Sequence, residues 1–310
     1  MIVHGRKQIS EIVYARKASE GGGAIRLTNM IRGGAVVFGG LAPLVKNWLS
    51  DATRQAIGVA FGVSDGTAVI KATNLYLNGI AATDRTKAQA LAGFINEDPM
   101  MVCSLGLEVQ LTVLPKMPIR LACGDGSAWL DSGKKTTSTM TLDVEVMPND
   151  NDISTSRYIL GGNVAWGSFL LRYYVQKFMW HYGINGGDHG VGSPAVGNVY
   201  HITAGPYTIA VDGDSWTASN TKACAANENL RFYRSGNMTD LYAKSGIGKL
   251  IIGDNGTNVL ETYPFVRNNV IGRLDVLSNM FLTNQGSGAF TIIYKYYYNG
   301  QWVTWTPSTP

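Results

Sequence analysis

Two carboxylates alternate along one predicted strand, in the segment LDVEV. Asp143 and Glu145 are separated by a single residue, so both side chains lie on the same face of a strand, about 7 Å apart. Two carboxylates that flank a sugar bond can act as the acid and the nucleophile of a glycoside hydrolase. Solubility alone also places acids on the polar face of an amphipathic strand. We therefore expect no enzyme and keep glycoside hydrolysis as the less favoured alternative.

Aromatic residues are concentrated between residues 166 and 182. Such rings stack on sugar faces and anchor protein contacts, although within strands they more often fill a core or a subunit interface. The candidates for glycan or partner contacts are Trp166, Tyr173, Trp180, Tyr182 and His189. We favour a core or interface role for the group, and a carbohydrate-binding site is the alternative.

Oxygen-bearing side chains follow the same strand in the segment PNDND. Asp150 and Asp152 are candidates for calcium, but the segment lacks the glycine and distal glutamate of an EF-hand loop, and a polar surface loop is favoured. The histidines of the next region show no metal-ligand spacing: His181, His189 and His201. The run GINGGDHGVG precedes no helix, which argues against a phosphate site and predicts a loop at one rim. We expect neither a metal nor a cofactor.

The composition favours β-structure with many tight turns. The chain has 310 residues, of which 37 are Gly, 15 Tyr and 7 Trp, and its 15% of charged residues is below the usual share of about a quarter. A net charge of +4 without a basic tract does not indicate nucleic-acid binding. We expect the three cysteines to be buried apolar residues or free thiols: Cys103, Cys123 and Cys224.

The first part of the chain predicts a small α+β module over residues 1–117. Apolar residues recur at three- and four-residue spacing over 41–62, which predicts a helix. A second helix is predicted between a cap at Thr83 or Asp84 and Pro99. Alternation over 105–115 predicts a strand, and residues 8–18 are another candidate strand. The N-terminus lacks the apolar region of a signal peptide. No window reaches the about 18 uninterrupted apolar residues that a membrane span needs.

The remainder, residues 118–310, predicts an antiparallel two-sheet sandwich or jelly roll. The prolines of PKMP, residues 115–118, suit a linker. Short alternating segments separated by glycine-rich turns then follow one another to the end of the chain. Asn299-Gly300 between FTIIYKYYY and QWVTW is a strong signal for a β-hairpin.

Two segments resemble a known family. ACGDGSAWLDSG resembles the opening of a concanavalin A-like (laminin-G-type) domain of bacteriophage virion proteins and surface proteins of gut bacteria, with matching positions from Ala128 to Gly133. Residues 250–290 resemble the end of that domain, although Val276 and Ser278 depart from its turn pattern. The matching positions there are Phe265, Val266, Arg267, Asn268, Gly272, Leu274, Asp275, Phe281, Asn284, Gly286, Gly288 and Phe290.

The resemblance covers roughly residues 119–292 and implies a mainly β, concanavalin A-like jelly roll that binds or decorates rather than catalyses. Glucan hydrolases of that class carry three alternating acids on one strand, whereas the first of those positions is Thr141 here. The N-terminal module is similar in style to structural proteins of phages that infect Bacteroidetes, including crAss-like phages, which implies attachment to a capsid or tail.

These resemblances imply a virion structural protein: a head fibre, a capsid decoration or a tail component. We expect it to be made in the host bacterial cytoplasm and to reside in the virion. Its expected partners are other virion proteins, further copies of itself in a symmetric assembly such as a trimer, and a host-surface glycan. We expect neither nucleic-acid binding nor membrane insertion.

Overall fold

The computed structural model describes residues 31–32, 35–36, 50–62, 70–71, 85–105, 108–109, 117–149, 156–162, 169–183, 189–217, 229–234 and 243–308. Its contacts divide the chain into two units. One comprises Met1–Met117 with Pro307–Pro310, and the other comprises Pro118–Thr306.

The first unit contains two described helices, α1 (Asp51–Ala60) and α2 (Arg85–Glu97), and a 3₁₀ helix (Pro99–Cys103). The Ser50 hydroxyl caps α1 by accepting a hydrogen bond from the Thr53 N–H at 3.1 Å. Four two-residue strands pair in two ladders: β1 (Ile31–Arg32) with β2 (Ala35–Val36), and β3 (Ile70–Lys71) with β4 (Glu108–Val109). Among the described residues, no helix is long and apolar enough to span a bilayer.

The structure confirms part of what the sequence predicts for this unit. The second helix is present and ends at Glu97, before Pro99. The first helix is present from Asp51, and residues 41–49 lie outside the described part of the chain. The described portion of the strand predicted over 105–115 is only Glu108–Val109. The caps at 83–84 and the strand over 8–18 also lie outside the described residues.

The second unit is a two-sheet antiparallel jelly roll, as the sequence predicts. Its strands are β5 (Ile119–Gly124), β6 (Leu130–Lys135), β7 (Thr141–Pro148), β8 (Arg157–Gly161), β9 (Leu170–Tyr174), β10 (Lys177–His181), β11 (His189–Val191), β12 (Tyr200–Ala204), β13 (Thr208–Val211), β14 (Asp214–Thr217), β15 (Asn229–Phe232), β16 (Ser245–Asp254), β17 (Thr257–Arg267), β18 (Val270–Asp275), β19 (Met280–Leu282), β20 (Phe290–Tyr298) and β21 (Gln301–Trp305). The small sheet has the order β11-β10-β9-β8-β15-β6. The large sheet has the order β14-β13-β12-β7-β16-β17-β18-β19, with a branch in which β5 pairs with β16 and β20, and β20 pairs with β21.

The main core lies between the two sheets because each contributes alternate apolar side chains to it. Leu142, Val144 and Val146 of β7 are buried there, as their alternation predicts. The small sheet contributes Phe178 and Trp180 of β10. The intervening residues of β7 therefore face away from the core. We call this side of the large sheet its outer face.

The large sheet forks at Gly248 and Lys249 of β16. Along one edge, β16 pairs with β7 on both sides of an irregularity between Ile247 and Leu250. Along the other edge, it pairs with β5 at Gly246 and Ile247 and then with β17 from Leu250 onward. None of these registers includes Gly248 and Lys249, so their backbone polar groups need partners other than a strand.

Arg273 of β18 supplies partners at the fork. Its Nη1 donates to the Ile247 carbonyl at 2.9 Å, and its Nη2 donates to the Gly248 carbonyl. It also donates to the Thr262 carbonyl and, at 2.9 Å, to the Thr262 hydroxyl. The side chain is fully buried, and burial lowers its pKa. An arginine remains protonated at neutral pH, so a buried cation holds the three backbone carbonyls together.

The closing segment of the jelly roll packs against its opening segment. The Asn284 side-chain oxygen accepts hydrogen bonds from the Trp129 and Gly286 N–H groups, at 3.1 and 2.9 Å. Asp125 accepts from the Ala289 N–H at 2.6 Å. A Cβ at Gly288 would come within 2.0 Å of the Asp125 carboxylate, so only glycine fits. The two segments that carry the family resemblance are therefore in direct contact.

Replacing Arg273 with lysine should destabilise the jelly roll by about 3 kcal/mol, because an ammonium group cannot reach all four acceptors and buried carbonyls lose their partners. Urea unfolding followed by tryptophan fluorescence measures the change. Arg267→Lys on β17 is the matched control, because Arg267 is half-exposed, and its effect should stay within about 0.5 kcal/mol. Equal effects of the two changes would contradict this role of Arg273.

Candidate binding site

A cleft of about 770 Å³ opens on the outer face of the large sheet. It lies between the β20–β21 hairpin on one side and β12 with the turn after β13 on the other. We call it the outer cleft. Its lining residues are Ile119, Glu145, Asn198, Val199, Tyr200, His201, Asp212, Tyr297, Gly300, Gln301 and Trp302.

A second, small apolar cluster on the outer face positions the hairpin wall of the outer cleft. Leu121, Cys123, Met147 and Val199 form this cluster, and Trp302 of β21 packs against it. Burial raises the pKa of the Cys123 thiol to about 12, so this residue acts as a neutral apolar group. Cys103 is also buried, as the sequence predicts, whereas Cys224 lies outside the described residues.

Two aromatic rings form the hairpin wall. Tyr297 and Trp302 face each other across the two strands, with ring centroids 5.4 Å apart in an edge-to-face arrangement. The turn between them is the predicted hairpin turn, in which Asn299 and Gly300 have φ values of 48° and 81°. The Tyr297 side chain remains 47% exposed. A partly exposed aromatic surface therefore borders the outer cleft.

Glu145 of β7 supplies a carboxylate to the floor of the outer cleft. Its Oε2 accepts a hydrogen bond from the Lys249 N–H at 3.0 Å, which satisfies a backbone donor at the fork. A Cβ at Gly248 would lie 2.4 Å from that oxygen, so the glycine allows Glu145 to cross the strand. Burial raises the pKa of Glu145, and the hydrogen bond from the Lys249 N–H together with the positive charges of Lys249 and His201 offsets only part of this effect.

His201 of β12 adds a titratable ring, and it lies opposite Glu145 in the β12–β7 ladder. Its Nε2 lies 2.9 Å from Asp143 Oδ1. The hydrogen bond with Asp143 raises the pKa of His201, and the same bond lowers the pKa of Asp143. Asp212, in the turn after β13, accepts from the His201 N–H at 2.9 Å. Three carboxylates thus surround one imidazole.

Three of the aromatic residues proposed from the sequence for glycan contact lie in the core instead. Tyr173, Trp180 and Tyr182 are 3%, 1% and 7% exposed. The Trp180 indole donates to the Gly205 carbonyl at 3.1 Å, and the Tyr182 hydroxyl donates to a backbone carbonyl at the other edge of the core. Their rings pack on the large sheet and offer no face to a sugar. The structure therefore corrects the glycan-contact interpretation and supports the core alternative for these three residues.

His189 is half-exposed and stacks on Trp216, with ring centroids 3.4 Å apart and an interplanar angle of 11°. It begins β11, so the predicted rim loop is a strand over His189–Val191. Contact of His189 with a glycan or a partner stays a prediction. Trp166, Asp150 and Asp152 lie outside the described residues. Within the described part of the chain, no group of three or more His, Cys, Asp or Glu side chains is arranged to hold a metal.

Most residues of the outer cleft are not predicted from the sequence. Local patterns assign no binding role to Asp212, Tyr297 or Trp302. The available signal was alternation around Asn299-Gly300, which places Tyr297 and Trp302 on one face of the hairpin. The surface against which this face of the hairpin lies depends on how the large sheet branches at the fork. Local sequence patterns carry no information about that branch.

The His201–Asp143 pair should make the site sensitive to pH. Because the His201 pKa is raised and the Asp143 pKa is lowered, the pair stabilises the fold between these two values. Its contribution is lost as pH rises through the His201 value or falls through the Asp143 value. In an NMR titration, Asp143→Asn should lower the His201 pKa towards its ordinary value, whereas Asp214→Asn should have a smaller effect. An unchanged His201 pKa in Asp143→Asn would contradict the pairing.

Comparison with solved structures finds similar jelly-roll proteins at low sequence identity. A candidate carbohydrate-binding protein from Bacteroides ovatus is 10% identical, over 60% of this chain and 66% of that chain, with a TM-score of 0.41. A heptameric pentraxin from Limulus polyphemus is 7% identical over 43% and 75%, with a TM-score of 0.34. Mouse laminin α1 domains LG4-5 are 13% identical over 49% and 46%, with a TM-score of 0.32. No family model and no curated protein match the sequence. These similarities carry no inference about what this chain binds.

Proposed function

We propose that the jelly roll is a carbohydrate-binding module and that the chain is a bacteriophage virion structural protein. The observation that carries the binding function is the outer cleft, in which an exposed aromatic wall faces carboxylate and amide side chains. Tyr297 and Trp302 form the wall, and Glu145, Asp212 and Gln301 are among the polar residues.

This arrangement suits a sugar for two physical reasons. The C–H face of a sugar ring stacks on an aromatic side chain and buries apolar area. Its hydroxyl groups donate to carboxylates and exchange hydrogen bonds with amides, and bonds to charged groups are the stronger ones. The exposed Tyr297 ring and the Glu145 and Asp212 carboxylates offer both kinds of contact within one cleft. Its volume of about 770 Å³ is in the range of small-molecule sites.

Binding fits the geometry better than hydrolysis does. A glycoside hydrolase needs two carboxyl groups directed at one glycosidic bond. Glu145 lines the outer cleft, but Asp143 is paired with His201 and is not among the lining residues. The Glu145 carboxylate is itself bonded to the fork through the Lys249 N–H. In this proposal, Asp143 and Glu145 therefore serve structure and binding.

The virion role is supported by the sequence resemblance of residues 119–292 and by the style of the N-terminal module. In this proposal, residues 1–117 attach the protein to a capsid or tail and the jelly roll faces outward. The chain then acts as a head fibre, a capsid decoration or a tail component, in a symmetric homo-oligomer such as a trimer. If the jelly roll binds a host glycan, the outer cleft faces the host surface in this proposal.

Replacing Tyr297 with alanine should weaken glycan binding at least about tenfold, because stacking on the exposed ring is lost. The measurement is a glycan array with the full-length protein, followed by calorimetry on the oligosaccharides that it binds. Tyr298→Ala is the matched control, because Tyr298 is also 47% exposed but faces the other side of β20. An array without binding, or an equal loss in both variants, would overturn the carbohydrate-binding proposal.

Immunogold labelling of intact phage particles tests the virion role separately. An antibody against the jelly roll should label particles at a fixed position on the head or tail. The particles must come from a phage that encodes this chain. If they carry no label although the infected cells contain the protein, the chain is not a virion component.

A further inference from the structure

Resting on the carbohydrate-binding function proposed above, we infer that Glu145 and Asp212 make the outer cleft selective for sugars without negative charge. A neutral sugar is accepted, whereas one that carries a carboxylate, sulfate or phosphate group is rejected. The two acids are then specificity-determining residues of the site.

The charges that line the outer cleft are mainly negative. Glu145 and Asp212 lie on the floor and at one side. Among the described residues that line the cleft, His201 is the one side chain that can carry a positive charge. Asp143, at 2.9 Å from its Nε2, already balances that charge. An acidic ligand would therefore meet the acidic side chains of Glu145 and Asp212 and one cation that is already paired with Asp143.

Two lysines lie close to residues of the outer cleft, and the charge of Lys249 acts on Glu145. Lys249 is linked to the site through its backbone N–H, which donates to Glu145. Lys295 is a buried residue whose Nζ lies 3.4 Å from the position of a Cβ at Gly197. Neither lysine is among the lining residues. They reduce the negative potential of the site without presenting a cation to the ligand.

The fixed position of both acids turns this charge into selectivity. Each carboxylate is held by a backbone donor, Glu145 by the Lys249 N–H and Asp212 by the His201 N–H. Neither acid can turn away from a bound anion without breaking that bond. Like charges brought together at a binding site cost free energy, and such repulsion is a common source of specificity. A sugar hydroxyl, by contrast, gains an acceptor.

A matched ligand pair tests the inference. The probes are a neutral hexose oligosaccharide that the protein binds and its counterpart in which one hexose is a hexuronic acid. In calorimetry at neutral pH and low salt, the wild-type protein should bind the neutral member about tenfold more tightly or better. The preference should shrink at about 0.5 M salt, because salt screens the repulsion.

Two isosteric variants assign the selectivity to the proposed residues. Glu145→Gln and Asp212→Asn each retain an oxygen that can accept the existing backbone hydrogen bond. Each should lower the ratio of neutral to acidic affinity about tenfold. Asp214→Asn is the matched control, because it removes the same charge two residues from Asp212 and does not line the outer cleft. Its ratio should equal that of the wild type, and unfolding midpoints verify that each variant is folded.

The outcomes separate this inference from the proposed function. If the glycan array finds no oligosaccharide, neutral or acidic, that the protein binds, the proposed function fails and the inference fails with it. If the wild-type protein binds both members equally, or prefers the acidic one, the inference is overturned while the carbohydrate-binding function stands. If a preference for the neutral sugar is unaffected by salt and by both variants, its cause is not these carboxylates, and the inference is also overturned. The salt series on the wild-type protein decides the matter even if a variant fails to fold.

Discussion

The change of strand partner at Gly248 and Lys249 is the constraint on which the rest of the jelly roll depends. One edge of β16 serves two neighbours, β5 and β17, and the backbone between them cannot be satisfied by either strand. Two charged side chains, one from β18 and one from β7, supply partners there. Arg273 donates hydrogen bonds to the Ile247 and Gly248 carbonyls, and Glu145 accepts a hydrogen bond from the Lys249 N–H. A buried cation is costly to desolvate, and its four hydrogen bonds explain why it is tolerated here.

The fork connects the fold to the outer cleft. Because β5 leaves β16 at this point, β20 and β21 continue the branch and carry Tyr297 and Trp302 along the outer face. The same break brings Glu145 to the floor of the cleft, since Gly248 leaves room for its carboxylate. Glu145 therefore holds the fork and lines the outer cleft at the same time. The hydrogen bond to the fork therefore holds this lining residue of the cleft in one position.

The buried charged side chains of the closing segment are structural groups. Asp275 accepts from the Glu261 and Leu277 N–H groups, at 3.1 and 3.2 Å, and Arg273 belongs to the fork. Asn284 joins the segment to the start of the domain. The charged and amide groups of residues 265–290 thus satisfy backbone donors and acceptors where strands end or change partner. Their chemistry stabilises the closure of the two sheets.

The sequence by itself determined the mainly β fold of the second unit, because alternation in β7 and the turn at Asn299-Gly300 are local properties of the chain. It also placed Asp143 and Glu145 on one face. Only the tertiary structure decided what those acids meet, since His201 and Lys249 come from other strands. It likewise placed Tyr173, Trp180 and Tyr182 in the core and Tyr297 in the outer cleft. The alternation of apolar residues predicts that a ring lies on one face of a strand. The pairing and packing of strands that are distant in sequence decide whether that face is covered.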